Sequence, residues 1–379
     1  MAMKPIYLDY NATTPIDLEV IDAMTPFLKE HFGNPSSSHW FGQKAKEAVE
    51  KARSQVADFL NCNTSEIIFT SGGTESNNYA IKGSAFSLRN KGNHIITTKI
   101  EHPSVLESCK FLASEGFEIT YLPVNEFGLI NLSEIEKAIK PNTILITIMH
   151  SNNEIGTVQP VEQISKLAGN LNIIFHTDAV QSAGKIPIKV TNIGVNMLSI
   201  AGHKIYAPKG VGALYIRQDI KLEKLIHGAG QEKNRRAGTE NVLEIVGLGK
   251  ACEIAGRDLE KNTTKMRVAR DRLYNGLKKK ISDFKLNSRF ENCLPNTLSL
   301  SFKNIDANLL LGKINNILAV SSGAACHSGR TEISEVMKAL NVTSEWAKGT
   351  IRFSTGKTTT ADEIDAALDI IIRNISSSW

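Results

Sequence analysis

Five short stretches carry residues able to do chemistry, and four of them directly follow apolar, β-favouring runs. Thr70-Ser71-Gly72-Gly73-Thr74-Glu75 joins such a run to a helical pattern. Glycines there let the backbone approach an anion, and the helix N-terminus with the Thr74 hydroxyl would hold a phosphate; an ordinary Gly-rich turn fits the same residues. Glu101-His102-Pro103 offers an imidazole, although a lone histidine is more often structural than catalytic. His176-Thr177-Asp178-Ala179-Val180-Gln181 ends a buried run on a carboxylate. Burying that charge is costly unless something cationic meets it, and a helix N-cap role would also account for an Asp here. Ser199-Ile200-Ala201-Gly202-His203-Lys204 ends on an amine, which can form a Schiff base with an aldehyde provided it is not permanently protonated. The fifth stretch, Val320–Gly329, places Cys326 beside His327 among small residues, as a mobile loop with a reachable thiol would. Reactivity requires the thiolate and access, and a buried, inert cysteine is the competing assignment.

The elements that must position these residues follow from hydrophobic patterning. Seven runs rich in Ile, Val, Leu and Thr predict strands at Glu66–Thr70, His94–Thr98, Ile119–Pro123, Thr143–Met149, Ile173–Thr177, Val195–Ile200 and Gly212–Ile216. Helical patterns such as Ser104–Ser114 and Leu132–Ile139 lie between several of them. That alternation predicts an α/β fold with a mostly parallel, helix-covered sheet. Ligands in such sheets bind beyond the carboxyl ends of the strands, where the four stretches fall. A phosphate loop, a strand-end Asp and a strand-end Lys, in that order, form the constellation of a pyridoxal phosphate (PLP) enzyme, with Asp178 as the partner of a pyridinium nitrogen. Flanking this core, His39–Leu60 reads as one amphipathic helix and Ala251–Ile281 as another long helical region. The remainder reads as a smaller α+β unit, with Asn296–Phe302 alternating as a half-solvated strand would and a capping box at Thr360–Glu363 opening the last helix.

Composition narrows the class. The chain has 379 residues, 41% hydrophobic and 22% charged, and its 44 Lys+Arg against 39 Asp+Glu leave a net charge of +5 without a basic cluster to suit nucleic acid. Short runs such as Arg235-Arg236 and Lys278-Lys279-Lys280 read as solvated faces. No apolar stretch reaches membrane-spanning length, and the first residues lack a signal-peptide core, so a cytoplasmic protein with no membrane partner is expected. Five cysteines without CxxC spacing argue for reduced thiols and against a structural metal. Gly356-Lys357-Thr358 and Gly228–Lys233 break the phosphate-loop and dinucleotide patterns they resemble, and neither HExxH nor GxSxG occurs.

Nearly the whole chain resembles the cysteine desulfurases, PLP enzymes of fold type I and aminotransferase class V. The similarity runs through Leu8–Pro15, Phe32–Ser37, Phe69–Glu75, Glu101–Pro103, His150–Gly156, His176–Gln181, Gly202–Lys204, Ala237–Asn241 and Ser321–Ser328. It implies a large domain over residues 16–255 with a mostly parallel seven-stranded sheet. It also implies a small domain combining residues 1–15 with 256–379 and carrying the cysteine loop at about 321–332. By the same resemblance, Lys204 carries the cofactor and moves the substrate Cα proton, Asp178 meets the ring nitrogen, Gln181 bonds the phenolic oxygen and His102 stacks on the ring. Gly73, Thr74, Ala201 and His203 fall at the cofactor-phosphate end, and Thr239 reaches the phosphate of a neighbouring subunit, which implies a homodimer with shared sites. Asn153 and Arg352, joined by Asn11, occupy substrate positions, and Cys326 aligns with the nucleophile that becomes a persulfide.

The implied reaction takes sulfur from L-cysteine, releases L-alanine and passes the sulfur to a protein acceptor such as an iron–sulfur scaffold. Gly323-Ala324-Ala325-Cys326-His327-Ser328, with Asp9–Pro15, is also similar to selenocysteine lyases, which would take L-selenocysteine. A non-catalytic binding relative would need none of Lys204, Asp178, His102 and Cys326. Desulfurases that dock a scaffold through a C-terminal extension run further past the last helix than Ser376–Trp379. The long segment between Cys326 and Arg352 resembles members with an extended loop, which favours sulfur transfer to proteins.

Overall fold

The structure is a computed structural model that describes residues 5–327 and 330–376; the side chains of residues 324–327, 330–332 and 376 lie outside that description. Seven strands form the main sheet in the order Ile67–Thr70, Gly212–Ile216, Met197–Ala201, Ile174–Asp178, Thr143–Thr147, His94–Thr98, Glu118–Leu122. The Gly212–Ile216 strand runs against both neighbours, and every other pairing is parallel. Each of the seven predicted runs is a strand, with boundaries shifted by about two residues at most, the usual uncertainty of strand ends. Their near-continuous hydrophobicity has the expected cause: the inner strands are buried from end to end under helices on both faces. The edge strand Glu118–Leu122 is only half-buried and carries the polar residues that position tolerates.

Helix Trp40–Leu60 begins where the His39 ring accepts the Gly42 N–H, and it ends at left-handed Asn61. It packs along helix Val242–Arg257 so closely that a Cβ on Gly249 would stand 2.6 Å from the Ala52 Cα. Any larger residue would push the two helices apart. The single helical region expected over Ala251–Ile281 is two helices, Val242–Arg257 and Leu259–Lys278, broken at Asp258. The Arg257 guanidinium grips the Asp258 carboxylate and Glu19, favouring a local turn over continued helix.

The smaller sheet is antiparallel, in the order Ser321–Ser322, Thr350–Ser354, Thr297–Phe302, Phe284–Leu286. Here the structure corrects an expectation: Thr297–Phe302 is buried on both faces. Leu298, Leu300 and Phe302 pack in a core with Leu273, Ile364 and Ile371 of two covering helices. The alternate face is polar yet dry: Asn287 bonds Ser299 and Ser301, and Ser301 meets Thr350 at 2.7 Å. Residues Ile6–Tyr7 pair in parallel with Leu318–Ala319, stitching the N-terminal strand onto this unit. The last helix, Ala361–Ser376, opens with the predicted reciprocal cap, Thr360 N–H to Glu363 Oε2 at 2.8 Å and Glu363 N–H to Thr360 Oγ1 at 3.2 Å.

Within the segment expected as a mobile loop, Ala324–His327 pairs with Arg330–Ile333 as an antiparallel hairpin, with Cys326 opposite Thr331. β-Branched Thr331 and Ile333 favour the extended backbone that the small residues alone would not specify. Among the described residues, no helix is long and apolar enough to cross a membrane.

Candidate active site

At the carboxyl edge of the main sheet, a cleft of about 350 Å³ is lined by Gly73, Thr74, His102, Asp178, Gln181 and Lys204, with Arg352 arriving from the smaller sheet. Each side chain of the floor is held by what precedes it in the chain. Helix Gly73–Ser87 starts directly after strand Ile67–Thr70, so its first N–H groups face the cleft. A Cβ on Gly73 would stand 2.8 Å from Val180 Cγ2, so only glycine lets this helix end sit against the Asp178–Gln181 turn. Asp178 closes its strand with both oxygens engaged, Oδ1 accepting the Val180 N–H at 2.9 Å and Oδ2 accepting from Asn77 at 2.6 Å. Asn77 also donates to Ser104 at 2.8 Å, and Ser104 in turn bonds His102 Nδ1 at 2.8 Å. Because Nδ1 also accepts the Ser104 N–H, the proton of neutral His102 is on Nε2. Burial and the nearby Lys204 lower the His102 pKa against the opposing pull of Asp178.

The Lys204 amine donates to the carbonyls of Asn11 and Ala12, both at 2.7 Å. Burial first, then the Arg352 charge, depress its pKa to about 8, while Asp9 and Asp178 oppose the shift. An amine tuned this far reacts with a carbonyl near neutral pH. His203, likewise, is pushed down to about 4 by burial and the neighbouring lysines, so its ring is neutral. The floor therefore offers an anion seat, a fixed carboxylate, a neutral imidazole and a reactive amine. Those are the contacts a phosphate-bearing aldehyde with a basic ring nitrogen would need.

The opposite wall comes from the smaller sheet. Arg352 lies beside Ser321 in register. Its Nη1 donates to the Asn153 carbonyl at 2.9 Å, and its Nη2 donates to Asp9 at 2.6 Å and to Ser321 at 2.8 Å. Its Nε is buried without a partner among the described residues, leaving an N–H for a ligand carboxylate. Asn152 builds the turn that presents Asn153, its Oδ1 accepting the N–H groups of Glu154 and Ile155. The cysteine hairpin is tied at both ends to this wall. Gly323 donates to Thr350, and Ser334, just past the hairpin, donates to Glu154 at 2.8 Å while capping the next helix. The Cys326 side chain itself lies outside the described residues.

A family model described as aminotransferase class V matches residues 6–367. The chain belongs to the class-V aminotransferase family. It is 50% identical over 373 residues to a protein of Dictyoglomus turgidum named cysteine desulfurase IscS, covering 98% of this chain and 95% of that relative. Among solved structures, a NifS-like protein superposes with a TM-score of 0.93 at 39% identity, over 98% of this chain and 99% of the other. A structure of SspA in complex with cysteine superposes with a TM-score of 0.83 at 40% identity, over 94% and 100% of the two chains.

Against this class-V background, the site residues named from sequence other than Cys326 fall into two groups. Asn11, Gly73, Thr74, His102, Asn153, Asp178, Gln181, Ala201, His203, Lys204 and Arg352 all line the one cleft. Asn11 lines it with its carbonyl, for its amide is spent on Asn153, Thr297 and Asn296. Thr239 falls outside, in a neighbouring hollow with Ser71, Gly210 and Arg236. Arg236, expected to be solvated, is instead paired with Glu75 at 2.9 Å and fastens the Thr239 segment to the start of the glycine-led helix. Upstream, Glu232, Lys233 and Asn234 are all left-handed, a conformation costly for side-chain-bearing residues. The buried bidentate pair of Arg53 with Glu232, at 2.8 Å on each side, holds that turn in place. Sequence reasoning missed Asn77, Ser104, Asp9 and Glu154 as site residues. Asn77 had a usable signal, being one helical turn beyond Gly73 and thus on the same face; Asp9 and Glu154 had only their position inside recognisable motifs.

Proposed function

We propose that the protein is a PLP-dependent cysteine desulfurase, which converts L-cysteine to L-alanine and carries the sulfur as a persulfide on Cys326. The observation that carries this reading is the convergence of Lys204, Asp178, His102 and the Gly73 helix start in one cleft, faced by Arg352 at the root of the cysteine hairpin. The residues fit PLP: the helix start and Thr74 would hold its phosphate, Asp178 its ring nitrogen, Gln181 its phenolic oxygen, His102 its face and Lys204 its aldehyde carbon. When bound, PLP supplies an electron sink for the carbanion at the substrate Cα. The chain supplies the rest. Arg352 offers its free N–H groups to the substrate carboxylate, with Asn153 beside it. Lys204 takes the proton from Cα. The Cys326 thiolate attacks the substrate sulfur, so that an S–S bond forms while the C–S bond breaks. The released electron pair stays with the carbon fragment, which gains protons and leaves as alanine.

In this reading the protein is a cytoplasmic homodimer with shared sites. Thr239 lies outside its own cleft, as a residue serving a second subunit would. Phe32 and Trp40, 79% and 54% exposed, both pack their rings against Phe41, an apolar patch that burial against a second copy would cover. The pairing of Ile6–Tyr7 with Leu318–Ala319 supports joining residues 1–15 to 256–379 as the small domain beside 16–255. The sulfur would then pass to an acceptor protein, an iron–sulfur scaffold being the class the resemblance implies.

Alanine release tests the proposal. The purified holoprotein should be yellow and should form alanine from L-cysteine, and Cys326→Ala should lose that activity. Alanine from L-selenocysteine alone would make it a lyase instead, and a colourless protein that cannot be loaded with PLP would remove the enzyme assignment.

A further inference from the structure

Behind the cleft lies a lysine that the mechanism above does not use. Lys185 is 4% exposed, and among the described residues no carboxylate pairs with it. A buried ammonium without a counter-ion is costly, and a lysine kept in such a place needs a reason. Its amine points at one residue: Nζ donates to the Gln181 carbonyl at 2.9 Å and to Gln181 Oε1 at 3.1 Å. On its other side, the Gln181 amide donates through Nε2 to the Asn11 carbonyl at 3.0 Å, the same oxygen that accepts from Lys204.

These contacts remove the usual ambiguity of a glutamine side chain. A lysine amine has donors to offer, so the atom facing it is oxygen; a backbone carbonyl only accepts, so the atom facing it is nitrogen. One Nε2 proton is thereby committed to Asn11, and the second is left for the cleft that Gln181 lines. A donor at the amide oxygen also polarises the amide and strengthens its N–H.

We propose that Lys185 is a positioning residue that locks the Gln181 amide with its N–H towards the cleft, where it donates to the phenolic oxygen of the cofactor. The inference rests on the PLP assignment of the site. Burial, helped by the Lys204 and Arg352 charges, lowers the Lys185 pKa to about 7, yet the amine donates in either protonation state. Without Lys185, among the described residues only the Asn11 carbonyl holds the amide, which is less firmly oriented and has lost the donor at its oxygen.

The test is a pH titration of the visible absorbance of the holoprotein, for wild type, Lys185→Met, Lys185→Gln and Gln181→Leu. A hydrogen bond to the phenolic oxygen favours the form in which that oxygen bears more negative charge, which is the deprotonated chromophore. Losing it should raise the midpoint, by about one pH unit. The other charged or titratable groups around Lys204, namely Asp9, Asp178, His102, His203 and Arg352, are common to all four proteins. The Lys185 charge is lost equally in Lys185→Met and Lys185→Gln, so the difference between those two reads the hydrogen-bond donor alone. The same upward shift is expected in Gln181→Leu and Lys185→Met, and a smaller one in Lys185→Gln, which keeps a donor. If Lys185→Met fails to fold, an upward shift in Lys185→Gln that is smaller than that of Gln181→Leu supports the donor role, and a wild-type midpoint in Lys185→Gln overturns the inference. A shift in Gln181→Leu with none in a folded Lys185→Met would overturn the inference while sparing the PLP assignment. No shift in Gln181→Leu would overturn the placement of the cofactor against Gln181, and a lower melting temperature alone would mark Lys185 as structural.

Discussion

The floor and the wall of the cleft are built on different terms. On the floor, Gly73, His102, Asp178 and Lys204 stand at or just after the ends of strands in one sheet; His102 and Asp178 bond partners on the same edge, and only the Lys204 amine reaches a remote segment, at the Asn11 and Ala12 carbonyls. On the wall, the decisive contacts join remote parts of the chain: Arg352 to Asp9, Ser321 to Asp9, Ser334 to Glu154. The floor is thus fixed by the rigid sheet before any ligand arrives, whereas the wall is fixed by a few polar ties around the root of the cysteine hairpin. Preorganised donors suit charge development at a bound cofactor. A wall held by individual ties suits recognition of a carboxylate and delivery of a thiol from a separate segment.

If that division holds, floor substitutions should lower kcat and wall substitutions should raise KM. The largest effect belongs to the floor: Lys204→Ala should cost about 10³-fold or more in alanine release, combining loss of the base with loss of the cofactor tether. A variant retaining a tenth of wild-type activity would show that another group moves the proton. On the wall, Arg352→Met should raise KM for L-cysteine by about 10- to 100-fold, the worth of a charge-assisted carboxylate contact, with a smaller change in kcat. An equal fall in kcat with unchanged KM would place Arg352 in the chemical step and erase the contrast.

The depressed pKa of Lys204 sharpens the floor's side of it. Only the neutral amine attacks an aldehyde, so capture of PLP by the apoprotein should accelerate as pH rises through about 8 rather than through the ordinary lysine range. Stopped-flow absorbance across that range checks the midpoint, and in Arg352→Met it should move upward as a neighbouring positive charge is lost. The smallest effect lies at the hairpin's root. Ser334→Ala removes both a helix cap and the Glu154 tie, and should cost about 1 kcal/mol in denaturant unfolding. Its effect on persulfide formation should exceed its effect on PLP binding; the reverse order would tie the hairpin root to the floor.

The same division explains what was legible beforehand. Floor residues follow strands whose hydrophobicity is visible in one dimension, so His94–Thr98 and Gly212–Ile216 emerge with their boundaries intact, and Asp178 and Lys204 with them. The wall depends on pairings hundreds of residues apart, such as Asn11 with Asn296, that no local pattern encodes. Strand Thr297–Phe302 shows the physical cause. Its alternating serines mimic a solvated face, but Asn287 and Thr350 satisfy them in a dry layer, and only the assembled sheet reveals those partners. Asp258 escaped notice for a related reason, since its break depends on Glu19 arriving from the far end of the chain.

The most direct measurement is a single turnover of the PLP-loaded protein with L-cysteine and no acceptor or reductant, followed by intact and peptide mass spectrometry. The expected result is one alanine per site and a gain of one sulfur atom confined to the peptide carrying Cys326. Alanine formed without sulfur on that peptide, or with sulfur on Cys62, Cys109, Cys252 or Cys293, would contradict the assignment of Cys326 as the sulfur carrier.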